Sequence, residues 1–178
     1  DFFKVTRIEN AFTNEVDYIA TCKVMGDIFL AIEHKMFAIR VNGKQHFVVN
    51  DPENEVLRAK AISALGQEPV FALVSDAEFE IINQYQLTPK AISDQSGKIK
   101  TLASGGGFRS DDAGESASLT QRLLDMLIMA ALERRASDLH LLPLNDEQAM
   151  VMLRVDGELY QYATIKTQIL SNLRNKLR

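Results

Sequence analysis

Between Ser93 and Ser118 the chain carries almost nothing that a core could use, and this gap limits what the rest can fold into. Gly105-Gly106-Gly107 has no side chains to bury, and serine, aspartate and further glycines flank it. Such a stretch cannot offset the ~1–2 kcal/mol per residue of backbone ordering entropy, which predicts a flexible linker over residues 96–117. The chain of 178 residues is thereby divided into a module over residues 1–95 and a second that starts at 118 and is incomplete at 178. The glycines do not make a phosphate cradle. No pair has the GxxxxGK[ST] spacing, and GxGxxG fails because position 110 is serine.

Both modules are globular in composition, since 46% apolar against 25% charged residues is too apolar for a disordered chain. A net charge of −4 does not favour nucleic acid or an anionic membrane, so no nucleic-acid partner is expected. The longest apolar stretches, Ile28–Ile32 and Leu123–Leu132, fall short of the ~18–20 residues of a membrane span, and no secretory leader precedes the first module. Cys22 is alone, which excludes an internal disulfide and a cysteine-based zinc site. It agrees with a reducing compartment and reads as a small buried hydrophobe. The chain opens on Asp1 rather than Met and closes on Arg178 inside a helical pattern. Both ends are expected to continue in a longer protein.

In the first module Asp27–Ile32 and Met36–Val41 read as strands, and Lys44–Asn50 follows the Asn42-Gly43 hairpin signal. Asn-Gly favours a two-residue loop. Placing Phe37 and Ile39 on one face with Phe47 and Val49 favours three, so the register stays open. Asp51 and Pro52 read as the N-cap and first residue of a helix that buries Leu57, Ala61 and Leu65 and stops at Gly66. Val70–Val74 reads as a strand buried on both faces. Asp76 reads as the cap of a second helix, which turns Phe79, Ile82 and Tyr85 inward and stops before Pro89. His34 and His46 lack metal-ligand spacing and read as ordinary, partly exposed residues. No catalytic constellation stands out, so binding or docking is the default role of this module.

The second module opens on Ser118-Leu-Thr-Gln121, a capping box. The helix behind it places Leu119, Leu123, Met126, Leu127 and Ala130 on one face, and Met126 and Met129 read as core filler. Arg134 and Arg135 follow at its negative pole. Strands are expected at Ser137–Leu142, Ala149–Val155 and Glu158–Thr164, with a turn at Asp156-Gly157 and a helix over Thr167–Arg178. The fold class is therefore α/β (α+β): two small modules, each a short mixed sheet packed with helices.

Ala136-Ser137-Asp138-Leu139-His140, followed by Arg154-Val155-Asp156-Gly157, resembles the ASDIH … RxDG signature of the secretion ATPases. That superfamily comprises the bacterial type II secretion, type IV pilus assembly and related conjugation ATPases. In it the signature lies in the second N-terminal domain, just ahead of the ATPase core. The resemblance covers residues 118–178, and the first module is similar, more loosely, to the variable first N-terminal domain. Where the family often has RxRxDG, Met152 stands at the earlier arginine.

The resemblance implies a parent protein that hydrolyses ATP with Mg²⁺ to drive pilus assembly or secretion. This stretch has no Walker lysine with its Mg²⁺-binding Ser/Thr and no general base. It is expected to hold no cofactor and to be inert alone. Arg154 would reach the nucleotide bound by a neighbouring ATPase core of the ring, with Arg134 or Arg135 as a further cation. The competing reading of Arg154 is a strand-end ion pair with Asp156 or Asp138. Ala136, Ser137, Asp138, His140, Asp156 and Gly157 would be structural motif positions, with Asp138 and His140 orienting groups in a hydrogen-bonded turn. The implied partners are an inner-membrane platform or actin-like cytoplasmic protein, the chain's own ATPase core and neighbouring subunits. The implied location is cytoplasmic and peripheral to the inner membrane. Two alternatives are a stand-alone adaptor and a nucleotide second-messenger sensor. Relatives that bind cyclic di-GMP use a motif opening Arg-Leu-Gly, which is lacking here; the Leu-Gly of Leu65-Gly66 stands alone.

Overall fold

A computed structural model describes residues 5–99 and 110–176, and the chain divides into two units between Thr88 and Pro89. The first unit contains β1 (Thr6–Arg7), α1 (Tyr18–Met25), α2 (Ile28–His34), β2 (Phe37–Val41), β3 (Lys44–Val48), α3 (Glu55–Leu65), β4 (Val70–Leu73) and α4 (Asp76–Ile82). A π-helical turn, Asn83–Leu87, follows α4. The sheet runs β1-β4-β3-β2; β1 and β3 lie parallel to β4, and β2 is antiparallel to β3. One face carries Ala38, Phe47 and Phe71 against Val24, Met25 and Ala61 of α1 and α3. On the other, Phe37 meets Phe79 of α4 with ring centroids 6.2 Å apart. Burial on both faces explains why β2 opens on the consecutive apolar residues Phe37, Ala38 and Ile39 rather than on an alternating pattern.

The hairpin takes the two-residue loop. Val41 pairs with Lys44, and Asn42 and Gly43 both have positive φ, 51° and 77°. That is the conformation Asn-Gly favours.

Several sequence expectations shift here. Asp27–Ile32 is not a strand: Asp27 caps α2, accepting a hydrogen bond from the Leu30 N–H at 2.8 Å. A short apolar run carries no period of its own, and the cap decides. The helix expected from Asp51 begins instead at Glu55, because Asn54 captures the Leu57 N–H at 3.0 Å. Asp51 closes a turn by accepting from the Glu53 N–H. Ser75, not Asp76, caps α4, in a reciprocal box with Glu78. Val70, at one end of β4, is exposed, and only Phe71 and Ala72 are buried on the two faces. Tyr85 points outward, since the π turn rotates it off the buried side of α4. Pro89 does not stop the chain's helical course. It is the second residue of α5 (Thr88–Lys98), which the helical backbone enters from the π turn without a break.

Two carboxylates tie the first unit together. Asp17 caps α1 through the Ala20 N–H (3.0 Å), pairs with Arg40 Nη2 (2.7 Å) and accepts from Gln45 Nε2 (3.0 Å). Burial alone would raise its pKa; these hydrogen bonds and the Arg40 charge hold it below the ordinary value. Glu78 likewise sits below its ordinary value. Burial opposes this, but the Ser75 hydroxyl and N–H and the Ala11 N–H all donate to it.

The second unit contains α5, α6 (Ser110–Glu133), an antiparallel meander of β5 (Asp138–Pro143), β6 (Gln148–Val155) and β7 (Glu158–Lys166), and α7 (Leu170–Lys176). Its core joins Ile92 of α5 and Ile99 just past its end, Leu123 and Leu127 of α6, and Val151 and Ile165 of the sheet. The boundary expected at 95/96 therefore moves to 88/89, because the apolar side chains of α5 belong to this core. The linker edges are also helical: residues 96–98 lie in α5, and α6 begins eight residues before the capping box expected at Ser118. Extending a formed helix costs little beside nucleating one, so the amphipathic half of α6 carries the weaker half. The centre of the expected linker, residues 100–109, lies outside the described residues.

Candidate functional site

The motif residues gather where α6 ends and β5, β6 and β7 begin or turn. After Glu133, Arg135 adopts a left-handed φ of 53°, its N–H bonding Leu132 O at 3.0 Å while the Ala136 N–H reaches Ala131 O at 2.9 Å. This is the Schellman pattern, with Ala136 as the residue that leaves the helix. The Ser137 N–H then donates to Arg154 O at 2.8 Å, starting the β5–β6 ladder.

In that ladder Asp138 stands directly opposite Arg154, and their side chains form an ion pair, Nε to Oδ2 at 3.2 Å. The Ser137 hydroxyl donates to the same Asp138 oxygen at 2.9 Å. Arg154 Nη1 donates to Gly157 O at 3.0 Å, across the two-residue turn in which Asp156 and Gly157 have φ of 51° and 86°. Of the two ion-pair readings open in the sequence, the pair is made with Asp138. Two of the three guanidinium nitrogens of Arg154 thus have partners inside the motif.

The other arginines do not converge on it. Arg134 donates to the Tyr160 hydroxyl at 3.2 Å and lies 4.5 Å over the Tyr162 ring, which packs against the core on the α6 side of the sheet. Burial pushes the Tyr162 phenol up to about 12 against the pull of Arg134. Arg135 is exposed at the helix end. Arg154 lies on the opposite face of the sheet, so the three cations do not form one phosphate clamp within this chain.

His140 stands across from Met152 on that open face, and its Nε2 is buried without a hydrogen-bond partner among the described residues. It is not the hydrogen-bonded orienting group expected from the sequence. His46 Nδ1 lies 3.1 Å from Lys44 O, and His34 is exposed at the end of α2. No group of three His, Cys, Asp or Glu able to hold a metal occurs among the described residues.

The first unit has one feature the sequence did not flag. A cavity of about 260 Å³ opens at the C-terminal ends of β3 and β4, lined by Val49, Asn50, Val74 and Phe79. The Lys35–Asp76 pair closes its rim at 3.0 Å, with the ammonium 5.2 Å from the Phe79 ring centroid. Lys35 was hidden because its place there depends on the left-handed turn that ends α2.

No protein-family model matches the chain, and no curated protein matches it. Among the described residues, no helix is long and apolar enough to cross a membrane.

Proposed function

We propose that this chain is the N-terminal docking and motion-relay region of a bacterial ATPase that powers pilus assembly or protein secretion. The supporting observation is the register of the two motif halves. The Asp138 of ASDLH and the Arg154 of RVDG face each other across one ladder and share an ion pair, so residues far apart in sequence act as one unit. In this reading the parent enzyme binds ATP and Mg²⁺ in a core outside this chain. It acts in the cytoplasm against the inner membrane, through a platform or actin-like partner. When ATP is bound, its phosphates supply the negative charge that Arg154 Nη2 would meet from a neighbouring subunit. A guanidinium fork already fixed at Nε and Nη1 is held in orientation for that contact.

The same pairing favours a second reading, a stand-alone adaptor in which Arg154 only closes the Asp156-Gly157 turn. Arg154→Ala in the full-length protein separates the two. The ion pair is half exposed and worth about 0.2–1 kcal/mol, so melting changes little in either case. In the motor reading ATP hydrolysis falls several-fold at an unchanged melting temperature, and Arg154→Lys rescues only partly. Hydrolysis equal to wild type, or the lack of any ATPase activity in the full-length protein, overturns it.

A further inference from the structure

On the face of the second sheet that points away from α6, the proposed function uses Arg154 and Asp138 and leaves the neighbouring side chains without a role. Along β6, Ala149, Val151 and Leu153 are buried, so Met150, Met152 and Arg154 project from the opposite face. On β5, Leu139 and Leu141 pack on the core, which puts His140 on the same open face. His140 is directly opposite Met152, while Met150 is one pleat along, opposite Leu142. Opposed residues hold their Cβ atoms ~4.5–5.5 Å apart. Residues two apart on one strand are separated by about 6.8 Å, twice the rise per residue. Three side chains of this length, standing on such a triangle, can meet above its centre.

The second observation is the His140 ring. Its Nε2 is buried and has no hydrogen-bond partner among the described residues, although an imidazole nitrogen is a strong acceptor when bare and a strong donor when protonated. Its opposed neighbour is a thioether, which donates no hydrogen bond and accepts one weakly. What a bare imidazole nitrogen and two thioether sulfurs share is affinity for a soft metal ion.

We propose that His140 Nε2 and the sulfurs of Met150 and Met152 form a three-coordinate site for Cu(I). Thioether ligands select this ion, whereas Mg²⁺ and Ca²⁺ require oxygen ligands and Zn²⁺ takes thiolate, imidazole or carboxylate. Arg154, two residues past Met152 on the same strand, is paired with Asp138, so the site gains no net positive charge from that pair. Binding changes no covalent bond and needs no oxidant; it requires only the tautomer with its proton on Nδ1.

The test uses Ag(I), a redox-inert ion with the same ligand preference, titrated without oxygen into the 178-residue chain carrying ¹³C-methyl methionine. Cys22 is alkylated beforehand, because its thiolate would compete for the ion. A Cys22→Ser chain serves the same purpose if alkylation disturbs the first unit. One equivalent should shift the Met150 and Met152 methyl signals and the His140 ring protons together, leaving those of Met25 and Met126 in place. In competition with a chromophoric Cu(I) chelator, Met150→Leu and Met152→Leu should each weaken binding tenfold or more. Leucine keeps the volume, so thermal melting should not change. Shifts spread over all the methionines, no shift at Met150 and Met152, or full Cu(I) affinity in the double leucine variant would each overturn the proposal.

Discussion

At the scale of single residues, charge in this chain is used mostly for geometry. Asp17 and Glu78 each satisfy a helix N-terminus and also reach a distant segment: Asp17 joins α1 to Arg40 and Gln45 of the hairpin, and Glu78 joins α4 to the Ala11 N–H. Both have folded-state pKa values below the ordinary ones. The stability they supply is therefore fully present above the unfolded carboxylate range, about 3.9–4.3, and is lost as pH falls through the lower folded values. Asp17→Asn and Glu78→Gln should each flatten the acid limb of the melting-temperature profile of the first unit, relative to wild type. An acid limb as steep as wild type in both variants would mean that other carboxylates carry it.

At the scale of elements, the instructive case is the end of α6. Arg135 sits at a φ of 53°, a conformation that costs a residue with a Cβ roughly 1–2 kcal/mol. Arg135→Gly removes that strain at the cost of some unfolded-state entropy, so it should stabilise the second unit by about 0.5–1 kcal/mol. Chemical denaturation measures this, and a lower midpoint would show that the Arg135 side chain has a structural task. Elements with local chemistry of their own were legible in the sequence: the Asn42-Gly43 hairpin, the Gly66 cap, the three strands of the meander and the Asp156-Gly157 turn. Illegible were those settled by competition between neighbouring caps, as at Asn54 and Ser75, or by tertiary burial. The run after Asp27 fits strand or helix by pattern alone; the end of α1 at Gly26 and the Asp27 cap on the Leu30 N–H decide for helix. The motif itself was legible as a pattern. Its ion pair was legible only as one of two alternatives, because the choice between Asp138 and Asp156 depends on ladder register.

At the scale of the whole molecule, the division between units follows two side chains, one inside α5 and one just past its end. Ile92 and Ile99 lie in the core of the second unit with Leu123 and Val151, although the sequence reading puts Ile92 in the first module and Ile99 in the linker. Ile92 is fully buried, so Ile92→Ala should cost about 2–5 kcal/mol, all of it in the second unit. Hydrogen exchange separates the outcomes: β6 amides should lose protection while β3 amides keep theirs, and the reverse would restore the division at 95/96. The β6–β7 ladder slips its register between Val151 and Met152, so Tyr162 is an extra residue on an outer strand. The opposite outer strand ends at Pro143, which has no N–H to offer. A kinked edge on one side and a proline-blunted edge on the other are poor templates for a strand from a second copy. Resistance to edge-to-edge polymerisation is thus built into the two margins of the second sheet, independent of the chain's modest net charge.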